Sequence, residues 1–120
     1  MKESGVAEAV TLAATSDTTK TTRPVSLSTV RLSLLSTHPE GYTKGCLALA
    51  RSTDSTIDLE KLVMPTLIMT GDADNISPPE LVYKGQKKMK NAQVKILKDV
   101  GHWHVYADVE NIADALCSFI

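Results

Sequence analysis

Apolar positions fall in two different rhythms along the chain. Val6, Ala9, Val10 and Ala13 keep the i, i+3, i+4, i+7 spacing that gathers side chains on one face of an α-helix, so a first helix is predicted there with these four residues inward. The hydroxyl-rich run "TSDTTKTT" is expected to break the helical pattern, because short hydroxyl side chains compete for backbone hydrogen bonds. Pro24 opens a second helical stretch carrying Val25, Val30, Leu34 and Leu35, and Pro39 suits the first turn of a third with Tyr42, Cys46, Leu47 and Ala50. The rhythm then changes. "PTLIMTG" (65–71) is a continuous apolar run closed by glycine, as in a strand covered on both faces of a parallel sheet. Pro78 and Pro79 start a helix reaching about Met89, and "AQVKILKDVG" supplies a second strand with Val94 and Ile96, extending at most to Val100. From Asp108, a suitable cap, a last helix is predicted to bury Val109, Ile112, Ala113, Leu116 and Phe119.

The order strand, helix, strand, helix implies a right-handed crossover with two parallel strands. Both strands then end on one rim of the sheet, about 4.8 Å apart if they are neighbours. Segments 71–77 and 99–106 would face a common crevice, where open α/β sheets place their ligands. The predicted class is therefore α/β, a helical segment (1–56) followed by a β-α-β-α unit (57–120).

Composition narrows the setting. A chain of 120 residues supports one core, and 42% apolar with 22% charged residues is ordinary for a globular protein. A net charge of −1 provides no overall field for nucleic acid or an anionic membrane, so neither is expected as a partner. No apolar run approaches the ~20 residues of a membrane span, and the first residues lack the layout of a secretory signal. A soluble protein of the cytoplasm is expected, with Cys46 and Cys117 as buried, reduced thiols in their helical patterns.

The crevice carries the chemistry. "MTGDADNISPP" (69–79) brings Asp72 and Asp74 to the first strand end, and "VGHWHVY" (100–106) brings Gly101 and His102 to the second. A histidine acting as a general base needs its ring held in one tautomer and its developing charge stabilised, which a buried carboxylate on the opposite ring nitrogen does. An aspartate after a strand is more often a turn former, and Asp72 and Asp74 are both open to that reading. Gly101, lacking a β-carbon, is expected to let the chain turn sharply as the strand ends.

Other constellations lead less far. "DADNISPP" begins like a calcium loop, but Ile76 occupies the third ligand position, the required glycine is missing, and Tyr83 stands where the bidentate glutamate belongs. His102 and His104 could share a side of an extended segment, yet no nearby Cys or Glu pattern completes a zinc site. His104 is read as lying at the surface or beside the site, and His38, before a proline at a helix start, as structural. Lys84, Lys87, Lys88 and Lys90 lack the stacking aromatics of a nucleic-acid surface and read as a solvated helix face. Trp103 is open to two readings, a crevice wall or packing against the last helix.

Taken together, "MPTLIMTGDADNISPP" and "VKILKDVGHWHVYADVENIADALCSFI" resemble the end of an α/β-hydrolase, in particular the group of 3-oxoadipate enol-lactonases and small esterases. The resemblance implies that the G-x-x-D from Gly71 to Asp74 carries the acid of a catalytic triad, and that Gly101-His102 carries its base. It further implies that the helical segment, including "VRLSLLSTHPEGYTKGCLALA", is lid-like, that substrates are small-molecule esters or lactones, and that no cofactor or metal takes part. The family's nucleophile lies in G-x-S-x-G, a pentapeptide absent from these 120 residues. What the resemblance implies is a hydrolase cut off before its lid, keeping acid and base without the serine they activate, and expected to be inactive alone. The alternative is a catalytically silent remnant or interaction module that pairs through an exposed sheet edge, with a copy of itself or with another hydrolase.

Overall fold

A computed structural model describes residues 3–52 and 57–120. Helices α1 (Glu3–Ala14), α2 (Asp17–Thr22), α3 (Pro24–Ser36) and α4 (Pro39–Arg51) come first. A single 3-10 turn, Leu59–Lys61, leads into β1 (Thr66–Gly71), α5 (Pro79–Gln86), β2 (Ala92–Leu97), the short α6 (His104–Ala107) and α7 (Val109–Phe119). The strands pair in parallel, Thr66 opposite Ala92 through Gly71 opposite Leu97, so both end at the same rim.

Helix α1 forms where the sequence predicts it, but a different face is buried. Ala7, Thr11 and Ala14 are covered, whereas Ala9 and Ala13 are exposed and Val6 is 40% exposed. The reason is chemical: Thr11 and Thr15 donate their hydroxyls to the carbonyls of Ala7 and Thr11, four residues back, so burying them strands no polar group. Small side chains on that face let α1 approach α3, whose Val30 is nearly inaccessible.

The threonine-rich segment also differs from expectation. It ends α1 but then forms α2, because Ser16 caps the new helix by accepting from the Thr19 amide at 3.1 Å. Thr21 and Thr22 turn their hydroxyls back onto carbonyls of the preceding turn instead of breaking it. Pro24 and Pro39 start α3 and α4 as expected.

The second half follows its pattern more closely. Leu97, Val100, Ala107 and Ile112 form the main buried cluster, with Met69 packed against it. Asp108 caps α7 by accepting from the Asn111 amide. Helix α5 stops at Gln86, short of Met89, as tighter i to i−3 bonds close its last turn. The strands are less covered than a sheet interior: only Thr70 and Gly71 of β1 are fully buried, and the two strands make up the whole sheet among the described residues.

Surface left open elsewhere fits that picture. Val109 and Leu116, expected inside, are 59% and 43% exposed, and α4 buries none of its residues. Both cysteines are free and exposed, which corrects the expectation of buried thiols: Cys46 lies on the uncovered α4 and Cys117 on the outer side of α7. The accessible surface of 8412 Å² exceeds the roughly 6,300 Å² expected of a compact chain of 13.0 kDa. A radius of gyration of 15.9 Å against about 13.6 Å for a compact 120-residue domain says the same.

Candidate active site

The rim where β1 and β2 end brings Asp74 and His102 together. Oδ2 of Asp74 lies 3.0 Å from Nδ1 of His102, within hydrogen-bond distance across 28 residues of sequence. The carboxylate is almost fully buried, with 2% of its side chain accessible, while the imidazole keeps 39%. The second ring nitrogen, Nε2, makes no hydrogen bond among the described residues.

Each loop fixes its residue by different means. After β1 the chain makes a tight turn in which the amides of Ile76 and Ser77 both donate to Asp74 Oδ1 at 2.8 Å. Thr70, buried at the strand end, sets its hydroxyl 3.4 Å from Oδ2. Burial pushes the Asp74 carboxyl up, but the bonds from the Ser77 amide, the His102 ring and the Ile76 amide outweigh it, so its pKa lies below the ordinary carboxylate value. Asp74 is thus held as an anion facing Nδ1, the arrangement that selects the tautomer with its proton on Nδ1.

Asp72, the other aspartate open to either reading, has a structural task. Its Oδ1 accepts from the Asp99 amide at 2.7 Å, tying the first loop to the second. Asp99 is the one non-glycine residue with positive φ, 58°, among the described residues. Here, and not at Gly101, the chain makes its left-handed turn after β2. Gly101 has no positive φ; its lack of a β-carbon is needed for closeness. A β-carbon at Gly101 would come within 2.8 Å of the Ser16 nitrogen and the Ala14 carbonyl oxygen. Gly71 is similarly constrained, since its β-carbon would collide with the Val100 carbonyl.

Ala14 and Ser16, together with the neighbours of His102, complete the setting. The His102 amide donates to the Ala14 carbonyl at 2.9 Å, and His104 Nδ1 lies 3.0 Å from the His102 carbonyl oxygen, so His104 does sit beside the site. Trp103 is half-buried, stacked at a tilt on Tyr106, and its indole N–H is buried without a partner among the described residues. Ser16 donates to the Asp99 carbonyl at 2.6 Å. The contacts from Ala14 and Ser16 escape sequence reading because they run from the opposite end of the chain; the only trace there is the serine itself, a preferred helix cap. Among the described residues no group of three His, Cys, Asp or Glu side chains is arranged to hold a metal ion, and no helix is long and apolar enough to cross a membrane.

No family model matches the sequence. Solved structures do. A thermophilic esterase from Thermogutta terrifontis superposes with a TM-score of 0.88 at 28% identity, over 98% of this chain and 43% of its own. The enol-lactonase from Burkholderia xenovorans LB400 gives 0.83 at 20%, over 98% and 44%, and CarC, a serine hydrolase involved in carbazole degradation, gives 0.72 at 22%, over 97% and 46%. The chain therefore has the fold of the C-terminal portion of an α/β-hydrolase and spans less than half the length of these three relatives.

Proposed function

We propose that the chain supplies the acid and base of a Ser-His-Asp hydrolase acting on small esters or enol-lactones, with Asp74 as acid and His102 as base. The observation that carries this reading is the 3.0 Å contact between a buried Asp74 carboxylate and His102 Nδ1, with Nε2 unbonded among the described residues. In the reaction, Nε2 takes the proton of a serine hydroxyl as it attacks the acyl carbon, and Asp74 stabilises the imidazolium that forms. His102 then protonates the leaving oxygen and activates the water that releases the acid. Residues 1–56 act as the lid over this site, and a cytoplasmic setting suits the two unpaired cysteines.

The serine comes from the polypeptide that completes the fold, since these 120 residues hold no G-x-S-x-G. Support for such a complement is the relatives' greater length, together with the excess exposed surface and the outer edge of β1, which no strand among the described residues pairs. That same edge favours a second reading, in which the chain is an inactive module that pairs with a copy of itself. A sedimentation experiment that finds a monomer across a wide concentration range contradicts the second reading.

A chimera tests the first. Replacing the matching C-terminal portion of the Thermogutta terrifontis esterase by this chain is expected to give hydrolysis of a short-chain aryl ester that falls on the order of 10²–10⁴-fold with His102→Ala. A folded, active chimera indifferent to His102→Ala would overturn the proposal. The 120-residue chain alone is expected to give no labelling with a serine-reactive phosphonate.

A further inference from the structure

We infer that Ser16 is a positioning residue for His102, a latch through which the helical segment holds the base loop in register with Asp74. The inference rests on the reading of His102 as the base, and goes beyond it by assigning the residue that keeps it in place.

The base loop contains a strained point. Asp99 has φ 58°, a left-handed conformation that a residue with a β-carbon adopts at a cost, and it lies three residues before His102. Its two backbone polar groups are held from opposite directions. Asp72 Oδ1 accepts from its amide at 2.7 Å, and the Ser16 hydroxyl donates to its carbonyl at 2.6 Å. Ser16 is itself fully engaged: 6% exposed, it accepts from the Thr19 amide at 3.1 Å and lies 3.0 Å from the Thr19 hydroxyl, which leaves its own proton for Asp99. No other donor to the Asp99 carbonyl occurs among the described residues.

The surrounding contacts turn this bond into a restraint on His102. Gly101 presses against the backbone of Ala14 to Ser16 so closely that a β-carbon would not fit, and the His102 amide donates to the Ala14 carbonyl at 2.9 Å. The α1–α2 junction thus grips residues 99, 101 and 102 in succession. Without the Ser16 hydroxyl, the Asp99 carbonyl loses its partner, the left-handed turn is no longer opposed, and the loop is free to relax away from Asp74.

The test reads the hydrogen bond and does not depend on activity. In the full 120-residue chain, the His102 Nδ1 proton, followed by nuclear magnetic resonance, is expected to be shielded from solvent exchange. Ser16→Ala should speed that exchange about tenfold, the factor set by an unopposed left-handed residue. Adding Asp99→Gly, which removes the strain because glycine adopts positive φ freely, should return it to within about twofold of the parent.

A role limited to capping α2 predicts no such recovery. Should Ser16→Ala alone fail to fold, recovery of both the fold and the shielded proton by Asp99→Gly supports the latch. Exchange in Ser16→Ala equal to the parent, or no recovery with Asp99→Gly, overturns it. A parent chain without any shielded Nδ1 proton contradicts the Asp74–His102 pairing itself, and with it both this inference and the proposed function.

Discussion

The two loops at the sheet rim reach the same crevice by unlike routes. In the acid loop the carboxylate is oriented from close by: the amides that hold Asp74 Oδ1, those of Ile76 and Ser77, lie two and three residues further along the chain. The base loop depends on distant chain, with Ser16 holding Asp99, Ala14 holding His102, and Asp72 reaching across from the acid loop. A locally encoded turn persists wherever its few residues are kept, whereas a position fixed from 80 or more residues away requires the rest of the fold to be in place.

If that contrast is right, substitutions where the two loops meet should cost most. Gly71→Ala forces a β-carbon into the Val100 carbonyl, backbone against backbone, and is expected to destabilise the chain by about 4 kcal/mol or abolish folding, read as the urea midpoint. Gly101→Ala presses on the Ser16 nitrogen and the Ala14 carbonyl, and should cost about 2–3 kcal/mol by the same measurement. Asp72→Ala removes the acceptor of the Asp99 amide, for an expected loss of about 1–2 kcal/mol.

Acid should separate the loops in another way. The folded-state pKa of Asp74 lies below its unfolded value, so the stability it contributes is present above the ordinary carboxylate pKa and lost as pH falls through the lowered one. Asp74→Asn should therefore flatten the pH dependence of the thermal midpoint over that acidic window. The smallest effect is expected far from the rim: Leu49→Ser on α4, at a residue already 73% exposed, should move stability by no more than about 0.5 kcal/mol.

The same contrast explains what could be read in advance. Asp74 and His102 were legible because each follows a strand within three residues of a glycine, the resemblance to α/β-hydrolase ends picks Asp74 over Asp72, and the parallel crossover leaves both at one rim. The buried face of α1 was not, because Thr11 counts as polar by type yet satisfies its hydroxyl on the Ala7 carbonyl. Cys46 and Leu116 read as core because their helices are amphipathic, but among the described residues both stay exposed. Ser16 was not legible, because its hydroxyl-rich segment reads as a break and nothing in its neighbourhood names Asp99 as the partner of its proton.

The pairing at the rim is tested most directly by following the Asp74 carboxyl carbon through an acid titration by nuclear magnetic resonance, in the parent chain and in His102→Ala. A paired carboxylate should titrate below the ordinary aspartate range and move upward once the imidazole is removed. An ordinary value that His102→Ala leaves unchanged would contradict the pairing.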